Sequence, residues 1–217
     1  MSHNESPRVI KRVVGALQTN CFIFHCPDTK EAIIVDPGGD PDLIEATIEE
    51  LKLKPILIVS THGHSDHIAG VKALKEKYSI PYALHPADKE IVKLSVKEAP
   101  LWGMGEIEEP EIDRYLNEGD EITFGNIKGS VIHTPGHTPG GICISFNGIV
   151  VAGDTLFYRS VGRTDLYGGS TSELLDSIKT KLFMLPDETK VLCGHGPETT
   201  IGEEKEENPF LEMYDEF

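Results

Sequence analysis

The ten residues Thr61-His62-Gly63-His64-Ser65-Asp66-His67-Ile68-Ala69-Gly70 constrain this chain more than any other stretch. Within six positions they hold His62, His64, Asp66 and His67, directly after the apolar run Ile56-Leu57-Ile58-Val59. Neutral imidazole and carboxylate are the donors that suit zinc, iron and related divalent cations. A lone histidine reads as a satisfied structural residue. Four such side chains at a strand end read as a metal-binding loop, and a fold that uses them must bring further donors to the same place.

Around this loop, short β-branched runs alternate with amphipathic helical stretches, the pattern of an α/β protein. Strands are expected at 9–14, 21–25 and 32–35, with Cys26-Pro27-Asp28-Thr29 turning the last two into a hairpin. Asp40 is expected to cap a helix over 41–53 that opens on Pro41 and repeats Ile44, Ile48 and Leu51 on one face. A strand at 55–60 enters the histidine loop, and a helix over about 67–78 leaves it with Ser65 as its cap. A strand at 82–84 and a helix at 87–94 follow. Residues 95–118 read as a solvated connection, the alternative being that Trp102, flanked by glycine, forms a lid. Strands return at 121–124, 127–133, 141–146 and 149–152, joined by tight turns at Gly125-Asn126 and Asn147-Gly148. Ser170-Thr171-Ser172-Glu173 is a capping box opening a helix to about 183, before a strand at 189–193 and a short helix near 202–206.

Three more donors lie just after strands: His137, Asp154 and His195. If strand 127–133 runs upward, His137 is in the top loop; the next strand descends, the Asn147-Gly148 turn lies below, and Asp154 emerges at the top. A helix then crosses over before strand 189–193, which favours parallel pairing and brings His195 to the same edge. The donors outnumber the ligands of one tetrahedral zinc. Two divalent ions fit: His62, His64 and His137 hold one, Asp66, His67 and His195 the other, and Asp154 bridges. A shared hydroxide is the expected nucleophile. Two dications outweigh two carboxylates and one hydroxide, so the site keeps positive charge for a developing oxyanion.

Bulk properties narrow the partners. The 217 residues suit one domain spanning 1–217, and 39% hydrophobic with 26% charged residues is ordinary globular composition. A formal charge of −16 speaks against nucleic acid, whose phosphates require Lys and Arg. No run reaches the ~20 apolar residues of a membrane span. The stretch from Met1 to Pro7 lacks the basic and apolar regions of a signal peptide. Cys21, Cys26, Cys143 and Cys193 form no CxxC pair, which suits buried thiols in a reduced cytoplasm. His133 reads as core or as support for the ligand loop, and His3, His25 and His85 as structural or surface residues. Asp36 either orients a ligand imidazole or caps its own turn.

At these positions the chain resembles the metallo-β-lactamase superfamily, and within it the glyoxalase II (hydroxyacylglutathione hydrolase) branch. The resemblance rests on Thr61-His62-Gly63-His64-Ser65-Asp66-His67, Thr134-Pro135-Gly136-His137-Thr138-Pro139-Gly140, Gly153-Asp154-Thr155-Leu156-Phe157, Gly162-Arg163-Thr164-Asp165 and Gly194-His195-Gly196, in that order. It implies an αββα four-layer sandwich with a dinuclear centre at one edge. It further implies hydrolysis of a small-molecule thioester such as S-lactoylglutathione, with Asp66 both holding metal and assisting proton transfer. Arg163 matches a basic substrate contact of the family, suited to a glutathione carboxylate. Asp154 supplies the bridging carboxylate that true β-lactamases generally lack.

The chain departs from the two-domain glyoxalase II enzymes. Only 22 residues follow His195, too few for their glutathione-binding helical domain, and Pro197 stands where they place a tyrosine. Zinc is the first expectation for the metal, with iron or manganese acceptable to the same donors. The runner-up is a persulfide dioxygenase with one iron on His62, His137 and Asp154; a scaffold that has lost its chemistry is a third reading.

Overall fold

The computed structural model describes residues 6–212; His3 and the first five residues of the N-terminal stretch lie outside them. Two six-stranded sheets face each other. The first takes its strands in chain order: β1 (Arg8–Val14), β2 (Thr19–His25), β3 (Glu31–Val35), β4 (Lys54–Val59), β5 (Tyr82–Leu84) and β6 (Arg114–Tyr115). β1, β2 and β3 are an antiparallel meander, whereas β3 to β6 pair in parallel. The parallel pairs arise because helices intervene: α1 (Pro41–Glu50) between β3 and β4, then α2 (Ser65–Ile68) and α3 (Val71–Tyr78) before β5, and α4 (Lys89–Glu98) before β6.

The second sheet begins with β7 (Glu121–Phe124), β8 (Ile127–His133), β9 (Ile142–Phe146) and β10 (Ile149–Gly153), an antiparallel run with tight turns. A small ribbon of β11 (Leu156–Phe157) and β12 (Ser160–Val161) precedes α5 (Thr171–Thr180). Beyond α5, β13 (Lys190–Cys193) returns parallel to β10, as the crossover requires, and β14 (Thr199–Thr200) closes the edge before α6 (Ile201–Glu207) and α7 (Pro209–Glu212).

Strand alternation assigns each apolar residue to a layer. Phe22, Phe24, Ile33, Val35 and Val59 of the first sheet meet Phe124, Ile127, Val131, Ile144 and Phe146 of the second in the central core. The other face of the first sheet, through Ile23, Ile34 and Ile58, packs on Ile44 and Ile48 of α1 and Val71 and Leu74 of α3. Cys143, Val150 and Val191 carry the outer face of the second sheet against Leu174 and Ile178 of α5. The order is helix, sheet, sheet, helix, the αββα sandwich expected. No helix among the described residues is long and apolar enough to cross a membrane.

Local differences from expectation concern caps and breaks. Asp40 does not cap α1: it adopts a left-handed conformation (φ 44°), and its Oδ2 accepts from the Gly15 amide at 2.8 Å, tying the β1–β2 turn to the helix start. Ser65 lies inside α2 rather than before it, and its hydroxyl donates to Met104 Sδ. The single helix expected over 67–78 is broken at Gly70, whose amide donates to Pro37 O at 2.7 Å; continuing the helix would give up this close backbone contact. The capping box behaves as expected, Ser170 Oγ accepting from the Glu173 amide.

The tightest approach is at Gly38, where an added Cβ would lie 1.6 Å from the Asp66 carbonyl oxygen. Overpacking of this kind costs about 1–3 kcal/mol or more. Gly38→Ala is therefore expected to lower the melting temperature by about 5–10 °C on thermal unfolding followed by circular dichroism; an unchanged midpoint would contradict the contact.

Candidate metal centre

Four strand ends and the loops after them assemble the site. β4 delivers His62 and His64, α2 carries Asp66 and His67, the β8–β9 loop holds His137, β10 runs into Asp154, and β13 into His195. The structure brings all seven together. His62, His64 and His137 form one group whose ligand atoms lie within 4.8 Å of one another; Asp66, His67 and His195 form a second, and His62, His67 and Asp154 a third between them. Asp154 spans the halves: Oδ1 is 3.3 Å from His67 Nε2, and Oδ2 is 3.7 Å from both His137 Nε2 and His195 Nε2. Asp66 Oδ2 sits 3.1 Å from His195 Nε2.

Hydrogen bonds on the far side of each ring decide which nitrogen faces inward. His137 Nδ1 donates to the Arg163 carbonyl at 2.7 Å, leaving the Nε2 lone pair for the site. Thr61 Oγ1 donates to Asp36 Oδ2 at 2.8 Å, so His62 Nδ1, 3.1 Å away, is the donor to that hydroxyl. His67 Nδ1 lies 3.0 Å from Asp36 Oδ2. Asp36 thus orients His62 through the Thr61 hydroxyl and lies at ion-pair distance from His67, and Oδ1 also accepts the Thr61 amide at 2.7 Å. Of its two expected roles, the orienting one is present, in a left-handed backbone conformation (φ 52°) that few non-glycine residues adopt.

These residues fit a pair of divalent cations. His64 Nδ1 and His137 Nε2 face each other at 3.0 Å. With His137 Nδ1 carrying its proton, the two lone pairs repel unless a proton or a cation lies between them. His62 Nε2, His67 Nε2 and Asp154 Oδ1 are buried without a hydrogen-bond partner among the described residues. Such orphaned atoms are costly in a folded interior.

The electrostatics divide the cluster. Burial, with His67 and His137 adjacent, pushes His62 well below the usual imidazole range, and burial beside His137 brings His64 down to about 3. Both are neutral donors at physiological pH. Burial opposes charge on His67, but Asp154, Asp66 and Asp36 outweigh it and carry the ring well above that range. Burial likewise opposes charge on Asp66 and Asp154, yet His67 and the neighbouring rings hold both carboxyls below the usual carboxylate range. A proton in the second half stands where a cation would, so loading metal releases it.

Two supports were not apparent in the sequence. Asp88, fully buried at the start of α4, accepts from the Gly63 amide (2.8 Å), the Thr138 hydroxyl (2.8 Å) and the Gly140 amide (2.6 Å). It locks the loop of His62 and His64 to the loop of His137. Asn20 donates to the carbonyls of Cys193 and Gly196 at 2.9 and 3.0 Å and so holds the turn bearing His195. A single acid in His85-Pro86-Ala87-Asp88 carries no periodic or spacing signal that would mark it. His133 donates Nε2 to Pro139 O and stacks on His85 at 4.1 Å, supporting the His137 loop without reaching the centre.

A cleft of about 370 Å³ opens over the cluster, lined by His64, Asp66, His137, Asp154 and His195 and by Trp102. Residues 95–118 are thus more than a solvated connection: Trp102 forms part of the cleft wall. Arg163 also lines it, with its guanidinium held by both oxygens of Asp165, at 2.7 and 2.8 Å.

Comparison with known proteins agrees with this geometry. The family model described as the metallo-beta-lactamase superfamily matches residues 14–195. The hydroxyacylglutathione hydrolase GloC of Haemophilus influenzae is 37% identical over 202 residues, covering 91% of this chain and 95% of that protein. Among solved structures, the BLEG-1 B3 metallo-beta-lactamase superposes with a TM-score of 0.86 at 37% identity, covering 94% of this chain and 99% of the other. TTHA1623 in a di-iron-bound form superposes with a TM-score of 0.85 at 37% identity, covering 93% and 100%.

Removing Asp88 strands two buried amides and a hydroxyl and frees both ligand loops. Asp88→Ala is expected to weaken metal retention about 10–100-fold, the usual effect of losing such supporting partners, as read by competition with a chromophoric chelator. Wild-type retention would show that the loops hold without it.

Proposed function

The chain belongs to the metallo-beta-lactamase superfamily, and we propose that within it the protein is a metal-dependent hydrolase of a small thioester, S-lactoylglutathione being the first compound to test. The observation that carries this reading is the placement of Asp154 between two ligand triads at the floor of an open cleft. The likeness to a hydroxyacylglutathione hydrolase along nearly the whole chain supports the thioester. His62, His64 and His137 would hold one cation, Asp66, His67 and His195 the second, and Asp154 both. The donor set takes zinc, iron or manganese, and the di-iron form of TTHA1623 gives iron equal standing with zinc.

Bound there, the cations supply Lewis-acid polarisation of the substrate carbonyl and a water acidic enough to attack at neutral pH. The chain's own side chains do the rest. Asp66 lines the cleft, where its carboxylate would take the proton of the attacking water and return it to the departing thiolate. The Thr61 hydroxyl, held by Asp36, and the Arg163 carbonyl keep His62 and His137 in the tautomers that present Nε2, and Asp36 lies beside the far nitrogen of His67. Apolar side chains line part of the cleft above these groups.

A second reading, β-lactam hydrolysis, is favoured by the likeness to BLEG-1; a β-lactam belongs in the same assay. The single-iron persulfide dioxygenase stands beside these readings: the chain is similar to ETHE1 from Myxococcus xanthus (TM-score 0.78, 30% identity, covering 93% of this chain and 83% of the other), and Asp66, His67 and His195 would then support the ligands of one iron rather than hold a second cation.

Purified protein is expected to carry about two metal ions per chain by elemental analysis, and S-lactoylglutathione hydrolysis to follow metal content when a chelator strips it. His62→Ala and Asp154→Ala should each lose at least ~10³-fold in kcat/KM together with metal, since removal of such a group costs several kcal/mol of transition-state stabilisation. One iron per chain with persulfide-dependent oxygen uptake would replace this reading with the dioxygenase.

A further inference from the structure

The wall of the cleft bears on which thioesters the site takes, an inference that rests on the thioester reading above. Its upper part is apolar: Leu17, Ile91, Leu94, Trp102, Leu166 and Tyr167 line it. Leu17 is 40% exposed, Trp102 44% and Tyr167 72%, so much apolar surface at the mouth awaits a partner group. Beyond the seven candidate metal ligands, the charged lining residues are Arg163, Asp165 and Glu98. They sum to a net negative wall.

Among the described residues Arg163 is the one lining cation that could meet a carboxylate from the substrate, and it is already paired, in a contact at the exposed mouth. Asp165 grips Nε and Nη2 in the parallel two-bond arrangement that a carboxylate ligand would itself seek. The guanidinium carbon also lies 6.0 Å from the Trp102 ring centre, which fixes its position against the apolar wall. Glu98 has no ion-pair partner among the described residues and adds repulsion. A glutathione arm brings two carboxylates and one ammonium. Glu98 suits the ammonium, but the carboxylates would meet an arginine already paired and hydrocarbon, so the water they lose there is poorly compensated.

We propose that this cleft selects thioesters whose thiol arm is apolar and carries no carboxylate, and that Asp165 sets the selection by occupying Arg163. Glutathione thioesters are accepted as poorer substrates, because reaction takes place at the cluster while the arm decides affinity.

The test uses the metal-loaded protein and two thioethers that cannot be hydrolysed, S-hexylglutathione and S-hexyl-N-acetylcysteamine, titrated by calorimetry. The neutral thioether is expected to bind at least tenfold tighter. Asp165→Asn, which removes the competing carboxylate and its charge, should narrow that gap at least threefold by strengthening S-hexylglutathione. Equal or tighter binding of the glutathione form, a gap unmoved by Asp165→Asn, or no binding of either thioether below millimolar concentration would each overturn the proposal. The matching hexanoyl thioesters are assayed in parallel for hydrolysis. A binding preference with neither ester cleaved would leave the selection standing and reject the thioesterase reading.

Discussion

Two imidazole nitrogens facing each other across 3.0 Å, from His64 and His137, are the constraint around which the molecule is arranged: either a proton or a cation must lie between them. A cation there would take both lone pairs at once. The buried, unpartnered atoms of His62, His67 and Asp154 close by are likewise open to a cation. Holding seven donors in this way costs folding free energy in the absence of metal, and the sandwich supplies it from three apolar layers.

The architecture serves the site through its connections. Parallel pairing of β3 with β4, and of β10 with β13, places successive strand ends at one rim. The loops emerging there are not left to themselves. Asp36 reaches from the end of β3 to two imidazoles, Asp88 binds two ligand loops together, and Asn20 of β2 clasps the turn after β13. Each is buried and each accepts or donates more than one bond, so each trades desolvation for geometry. The Arg163 carbonyl acts in the same way on His137, which gives Gly162-Arg163 a role in the centre independent of the guanidinium.

Charge is distributed on two scales. At the floor, carboxylates and rings are interleaved so that cations replace protons. At the wall, the Arg163–Asp165 pair and Glu98, which has no ion-pair partner among the described residues, give a sign opposite to that expected of a site recognising the carboxylates of an anionic arm. The reacting centre and the recognising surface are therefore separable. Members of one superfamily can share the first and differ in the second, in keeping with close likeness both to a hydroxyacylglutathione hydrolase and to a B3 metallo-beta-lactamase.

Most strands to within a few residues, and the cluster from His62 to His67, were legible in local pattern; the αββα order was implied by the family resemblance, and the gathering of His137, Asp154 and His195 at one edge by chain connectivity. Apolar alternation marks strands, Ser170 to Glu173 marks a helix start, and histidines clustered after β4 announce a metal loop whatever the rest of the chain does. Where local and distant partners compete, the sequence misleads. Asp40 and Ser65 have cap-type side chains, yet one is drawn to Gly15 and the other to Met104. Gly70 breaks a helix for the sake of a carbonyl in the β3–α1 loop. The importance of Asp88, the engagement of Arg163 by Asp165 beneath Trp102, and the place of residues 95–118 in the cleft wall were decided only in three dimensions. A hydrogen bond across 25 or 52 residues leaves no trace in spacing, since its energy depends on where two backbones meet and not on what lies beside either one.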